Sequence, residues 1–135
     1  MSSQMNIEIV RRLYQEVTDR LDVSGELFDP EFELDMSDMA WDIGVRRGFE
    51  AAREAFRQYA QTFDAFRVEL REVIHADEEH VVTEIRDGGL VKGSDAEVWN
   101  RYFDAFTFRD GRLLRMSAHT DRARALEAAG ISPTN

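Results

Sequence analysis

The hydrophobic period of this chain changes from three-to-four to two after Phe63, and that change governs what it can fold into. Up to Phe63 the apolar residues recur at steps of three and four. Ile7, Val10, Leu13, Tyr14, Val17 and Leu21 fall on one stripe, with Asn6 able to cap the start and Glu8 suited to the first turn. Phe49, Ala52, Phe56, Tyr59 and Phe63 form a second stripe. Between them, "GELFDPEF" reads as a short helical or irregular piece broken by Pro30, "EFELD" as a brief strand, and "MSDMAWDIGVRRG" as a loop. From Phe66 onward the period is two. Phe66, Val68 and Leu70 alternate, "HADEEH" is a turn, "VVTEI" is a strand and "RDGG" breaks it. "EVWNRYFDAFTF" is a long strand, "RDGR" a hairpin turn and "LLRMSAHT" the last strand. Asp121 caps a terminal helix, "DRARALEAAG", which Gly130 stops. Helices first and an antiparallel meander afterwards predict an α+β domain with helices on one face of a curved sheet.

With 135 residues the chain suits one domain, 1–135, with its packed part over 6–130 and a loose tail at 131–135. A net charge of -10 argues against nucleic acid or an anionic membrane as partner. There is no cysteine, so disulfides, thiolate metal sites and cysteine nucleophiles are excluded. His75, His80 and His119 have no ligand spacing, so no metal is expected. The N-terminus "MSSQMNIEIV" has no basic segment followed by an apolar block, and no apolar run reaches membrane-spanning length. A cytoplasmic location is the expectation.

The stretch "RYFDAFTF" carries the sharpest chemical question. Its alternation puts Asp104 on the same face as Tyr102, Phe106 and Phe108. A carboxylate facing aromatics is costly to ionise unless a cation meets it. Asp104 is therefore either a protonated donor or the partner of an arginine on a neighbouring strand, such as Arg86 or Arg115. The opposite face, with Trp99, Arg101, Phe103, Ala105 and His119, is free to pair with a second subunit, so a homodimer is expected.

The order of elements, "RRG" before the second helix, "FTFRDGRLLRM" and the ending "DRARALEAAG" resemble the SnoaL-like polyketide cyclases and, more widely, the ketosteroid-isomerase-like and nuclear-transport-factor-2-like superfamily. The resemblance runs from Asn6 to Gly130. It implies a cone-shaped, mostly antiparallel curved sheet packed against the N-terminal helices around an apolar pocket. Three positions match the isomerase branch: Tyr14 the tyrosine donating to the substrate oxygen, Asp35 the general base, and Asp104 the acid sharing the oxyanion hole. Ketosteroid isomerase is the known case of a carboxylic acid kept neutral by an apolar site. The stretch between Tyr14 and Asp35 is shorter than in the isomerases, and the loop between them and the second helix carries its own acids, Asp38 and Asp42. The cyclases place an acid late in the sheet, where the nearest residue here is Asp121, with His119 beside it.

The activity so implied is cofactor-independent proton abstraction next to a carbonyl of an apolar substrate, ending in isomerisation or aldol-type cyclisation. The competing readings are a small-ligand binder without catalysis and a dimerisation module on the same fold. The pocket is expected to draw on Trp41, Phe56, Tyr102, Phe106 and Met116. Each residue also has a plainer role: Tyr14 in the core, Asp35 at a strand end, Trp41 packed under a loop, Asp121 as a helix cap, His119 on the outer sheet face. Arg46 and Arg47 read as a solvated loop end or a site for an acidic group, and His75 and His80 as solvated flanks of an acidic turn.

Overall fold

A computed structural model describes residues 2–39 and 44–132. Helix α1 (Ser3–Arg20) opens the chain, and a short 3-10 turn at Gly25–Leu27 leads into strand β1 (Phe28–Asp35). Strand β2 (Val45–Arg47) and helix α2 (Phe49–Ala60) follow. Four strands then run consecutively: β3 (Phe63–Ala76), β4 (His80–Val91), β5 (Glu97–Arg109) and β6 (Arg112–His119). Helix α3 (Arg122–Ala128) ends the fold. The six strands make one curved, unclosed sheet in the order β2-β1-β6-β5-β4-β3. All pairings are antiparallel except β1 with β6. The α+β fold with a curved sheet expected from the change of period, which the family resemblance made a cone, is observed, although the helices do not all share one face, because α3 packs on the other.

The inner face of the sheet and the apolar stripes of α1 and α2 bury one large core, including Val10, Leu13, Phe32, Leu34, Val81, Phe106 and Leu113. β1 runs parallel to β6, which puts Leu34 beside Met116. Pro30, which has no N–H for a ladder, sits where the β1–β6 register shifts between Phe28 and Glu33.

Several local expectations are corrected. Asn6 is not the cap of α1. Ser2 caps it through its side chain, and Asn6 is buried one turn further in. Asn6 Nδ2 donates to the carbonyl oxygens of Asp77 at 3.1 Å and Glu78 at 2.9 Å, tying α1 to the β3–β4 turn. Asn6→Ala takes the buried donor away from two carbonyls of the β3–β4 turn and is expected to cost about 2 kcal/mol. Ser2→Ala, the loss of an exposed cap, should cost about half of that. Urea unfolding of both variants checks the order. Phe63 belongs to β3 rather than α2, and "VRR" of the supposed loop is a strand paired with β1. "RDGG" does not break its strand: β4 continues to Val91, paired on both sides of Gly88 and Gly89.

The outer face is not open where a second subunit was expected. α3 lays Ala125, Leu126 and Ala129 over Phe103, Ala105 and Val82. That removes the ground on which the homodimer was expected. Trp99 lies beyond α3, with the guanidinium groups of Arg86 and Arg67 4.0 and 5.2 Å from its ring centroid. Among the described residues no helix is long and apolar enough to cross a membrane.

Candidate active site

Between α1, α2 and the inner face of the sheet lies a cavity of about 70 Å³. Its walls are apolar: Leu13 and Val17 from α1, Phe56 from α2, Phe66 and Val68 from β3, with Met36, Met39 and Met116 towards β1 and β6. Its polar side chains are two carboxyl–tyrosine pairs and a further tyrosine, Tyr102.

The first pair is Asp104 and Tyr14. Asp104 faces inward from β5 and is 2 % exposed. Tyr14 reaches it from the buried stripe of α1, and the phenol O–H donates to Asp104 Oδ2 at 2.7 Å. Thr83, opposite Asp104 on β4, lies with its Oγ1 2.8 Å from the same phenol oxygen. Neither arginine considered for Asp104 reaches it. Arg86 lies 3.8 Å from Glu69, and Arg115 pairs with Asp35 at 2.8 Å and Glu33 at 3.6 Å. Among the described residues no cation pairs with Asp104. Burial therefore dominates its acidity: loss of hydration raises its pKa to about 7, against the Tyr14 hydrogen bond and aided by the charge of Asp87. Tyr14 is itself held well above its ordinary value by burial and by Asp104.

The second pair is Asp87 and Tyr59. Val81, Thr83, Ile85 and Asp87 share the inner face of β4 by strand alternation. Tyr59, on the last turn of α2, donates to Asp87 Oδ1 at 2.8 Å. Asp87 is 5 % exposed, and burial raises its pKa to about 6 while Tyr59 and Asn100 act in the opposite direction. Tyr102, opposite Ile85, also lines the cavity.

Of the residues expected in the site, Tyr14, Asp104, Phe56, Tyr102 and Met116 do line the cavity. Phe106 lies beneath it, fully buried, with its ring edge-on to Tyr14 at 6.0 Å. Trp41 and Asp42 lie outside the described residues. Asp35 is not among the lining residues. The alternation that turns Leu34 and Met36 into the cavity turns Asp35 outward. There it accepts hydrogen bonds from Ser37 and pairs with Arg115. Partial burial would raise its pKa, but the Ser37 hydrogen bonds and Arg115 outweigh that and hold it below the ordinary value.

His119 and Asp121 also sit away from the cavity. Asp121 caps α3, accepting from the N–H groups of Ala123 and Arg124. His119 Nδ1 lies 2.7 Å from Asp38 Oδ2, and its Nε2 lies 2.8 Å from Ser117 Oγ. That is the atom order of a hydrolase triad, but Ser117 is 2 % exposed, and Asp38 is also held by Arg124 at 2.7 Å. The cluster ties the segment after β1 to β6 and α3. His75 and His80 both meet Asp77, at 2.7 and 3.4 Å, and so are bound to the turn they flank. Arg47 pairs with Glu33 at 3.0 Å. Among the described residues no group of three or more His, Asp or Glu is placed to hold a metal ion.

The comparisons agree with the fold. The family model for the SnoaL-like domain matches residues 10–116. A protein from Jannaschia sp. CCS1 described as a SnoaL-like polyketide cyclase is 24% identical, with a TM-score of 0.74 over 97% of this chain and 95% of its own. Bal32a, from a soil-derived mobile gene cassette, is 22% identical, with a TM-score of 0.74 over 87% of this chain and 89% of its own. A protein of ketosteroid-isomerase-like fold from Catenulispora acidiphila, in complex with trimethylamine, is 18% identical, with a TM-score of 0.71 over 92% of this chain and 93% of its own. No curated protein gives a significant match.

Proposed function

This chain belongs to the SnoaL-like domain family, and we propose that it is a cofactor-independent acid–base enzyme acting on a small, largely apolar carbonyl compound. One observation carries this reading: the Tyr14–Asp104 pair is buried in an apolar cavity with no cation beside it. A neutral Asp104 can donate a hydrogen bond, and Tyr14 can donate beside it. Both donors then meet the negative charge that develops on a carbonyl oxygen when a neighbouring C–H bond ionises. The Tyr14 O–H, which donates to Asp104 in this structure, turns to the carbonyl oxygen when substrate binds, and both donors are then in place as the charge forms. The residues supply binding, orientation and exclusion of water, and the reaction is a proton transfer.

The cavity sets the size of the substrate. An apolar cavity of about 150 Å³ is known to take a benzene ring, and this one offers about 70 Å³ at rest. A polycyclic substrate is too large. A single ring enters as Met36, Met39 and Met116 give way, which unbranched thioether side chains do readily. That size favours isomerisation within one ring over the folding of a long polyketide chain.

A second reading has its own support. Asp87, Tyr59, Phe56 and Tyr102 bring a carboxylate and aromatic rings to one small cavity, a combination that suits an alkylammonium ion. The Catenulispora relative is in complex with trimethylamine. On that reading the protein binds a small amine and catalyses nothing.

Phenol and trimethylamine separate the two. Phenol is a single-ring analogue of an enolate and should bind the wild type. Its affinity should fall about tenfold on Tyr14→Phe, the equivalent of one hydrogen bond of about 1.4 kcal/mol, and should fall likewise on Asp104→Ala, which removes the other donor. Titration calorimetry reads both. Binding of trimethylamine without phenol, or phenol affinity untouched by either substitution, would sink the enzyme reading.

A further inference from the structure

We propose that Asp87 is the general base of this cavity, and that the substrate is a single-ring ketone held between Asp87 at one end and the Tyr14–Asp104 pair at the other. The inference rests on the enzyme reading above. It starts from what the cavity contains. Among the described residues, two acids line it, Asp87 and Asp104. Asp104 is committed to Tyr14 and sits at the donor end. Asp35, the base that the family resemblance implies, is turned to the outer face and neutralised by Arg115. A carboxylate paired with a guanidinium is a weaker base, and one outside the cavity cannot reach a C–H bond inside it.

Asp87 meets the geometric needs of a base. Tyr59 fixes one carboxylate oxygen at 2.8 Å. The groups facing it are Tyr59 from α2, Val68 from β3, and Asn100, Tyr102 and Asp104 from β5, with Tyr14 across the cavity. None of them is a cation, and among the described residues no ion pair involves Asp87. Its basicity is therefore raised by burial rather than spent on a salt bridge, which places its proton affinity near neutral pH. Burial raises both acids, and it raises Asp104, the more deeply buried of the two, further than Asp87.

Both carboxyls line the one small cavity, and Asp87 is near enough for its charge to act on Asp104 and Tyr14. A single ring with its carbonyl at the Tyr14–Asp104 pair therefore lies within reach of Asp87. In the step, the Asp87 carboxylate forms an O–H bond with a proton from the carbon next to the carbonyl, and that C–H bond breaks. Its electron pair moves into a carbon–carbon double bond, and the carbonyl π pair moves onto oxygen, where Tyr14 and Asp104 donate. Asp87 then returns the proton two carbons further along. The carbonyl re-forms and the double bond moves into conjugation. No other reactant is consumed.

The test uses 3-cyclohexen-1-one as substrate, with absorbance of the conjugated product and deuterium uptake from D2O as readouts. Asp87→Asn keeps the acceptor for Tyr59 and should lower the rate by about 100-fold or more, with phenol affinity within threefold of wild type as proof of an intact fold. The wild-type rate should rise with pH as the base ionises and fall as Asp104 loses its proton. Tyr59→Phe removes a donor that stabilises the Asp87 carboxylate and should move the rising limb to higher pH, which a merely structural tyrosine would not do. Undiminished activity in Asp87→Asn, or loss in Asp35→Asn with Asp87→Asn unaffected, would overturn the assignment. So would a wild type that binds phenol yet neither isomerises nor exchanges the ketone. Failure to bind phenol at all would instead remove the enzyme reading itself, and this inference with it.

Discussion

Alanine at Gly88 should cost about 4 kcal/mol or more of stability, placing it among the most damaging single substitutions in the chain. Gly88 lies mid-strand at φ +150, and a Cβ there would stand 1.9 Å from the carbonyl oxygen of Val98 and 3.1 Å from Trp99 Cα. Those atoms are backbone of the paired strand β5. They cannot swing aside as a side-chain tip can, so the ladder itself has to open. Gly89, at φ +152, is pressed from the other side, with a Cβ position 2.8 Å from the Asp64 carbonyl oxygen. The two glycines let β4 bend tightly between β3 and β5 beside Asp87. A control is Gly93→Ala: its φ is +78, but the space around it is open, so only the backbone penalty of about 1 kcal/mol applies. Urea denaturation of both variants gives the comparison. Equal stability of Gly88→Ala and Gly93→Ala would show that β4 does not pass as close to β5 as the fold requires.

The same glycines explain one limit of sequence reading. In isolation, "RDGG" is a turn signal, because glycine pairs end strands more often than they bend them. Reading a break there stopped the alternation Val81, Thr83, Ile85 one step short of Asp87. Had the strand been carried through, its period would have put Asp87 on the cavity face. The signal was present, but it depended on a neighbouring backbone that local sequence does not reveal. Asp104 was legible for the opposite reason: its face was fixed by three aromatics in an uninterrupted strand.

Asp35 shows a different limit. The family resemblance supplied it by position, while its own alternation with Leu34 and Met36 pointed outward. The local period was the better guide to where its side chain goes. Asn6 was misassigned because polar residues at a helix start have two uses, capping and long-range bonding. Only the fold shows that the β3–β4 turn arrives at this one. The covering of Phe103 by α3 was invisible in the same way. A short helix such as Arg122–Ala128 announces its cap in the sequence, but not which sheet face it returns to.

The second large effect expected is an unusual pH dependence of stability, with the protein more stable near pH 5 than near pH 8. The cause is Asp104. Its folded-state pKa is raised from 3.8 to about 7, so the folded chain holds this proton more tightly than the unfolded chain does. The associated stability is fully present below the unfolded value and is lost as pH climbs through the folded one. At about 1.4 kcal/mol per pH unit, the loss between pH 4 and pH 7 is on the order of 4 kcal/mol. Asp87, raised to about 6, works in the same direction over a narrower range. Carboxyls held low by their partners work in the opposite direction. Asp22 is held down by Arg53, and Asp77, despite partial burial, by His75 and the backbone at about 2. Their contributions are present above the unfolded value and disappear as pH falls below it. They therefore set the acid limit and leave the fall above pH 4 to the two cavity acids. Asp104→Asn keeps an acceptor for the Tyr14 hydroxyl and removes the ionisation, so the slope between pH 4 and 7 should flatten by most of its height. Adding Asp87→Asn should remove the remainder. Urea midpoints measured at half-unit steps of pH give the curves. A wild type equally stable at pH 5 and pH 8, or a slope that survives Asp104→Asn, would mean that Asp104 is ionised in the folded protein and cannot donate to an oxyanion at Tyr14.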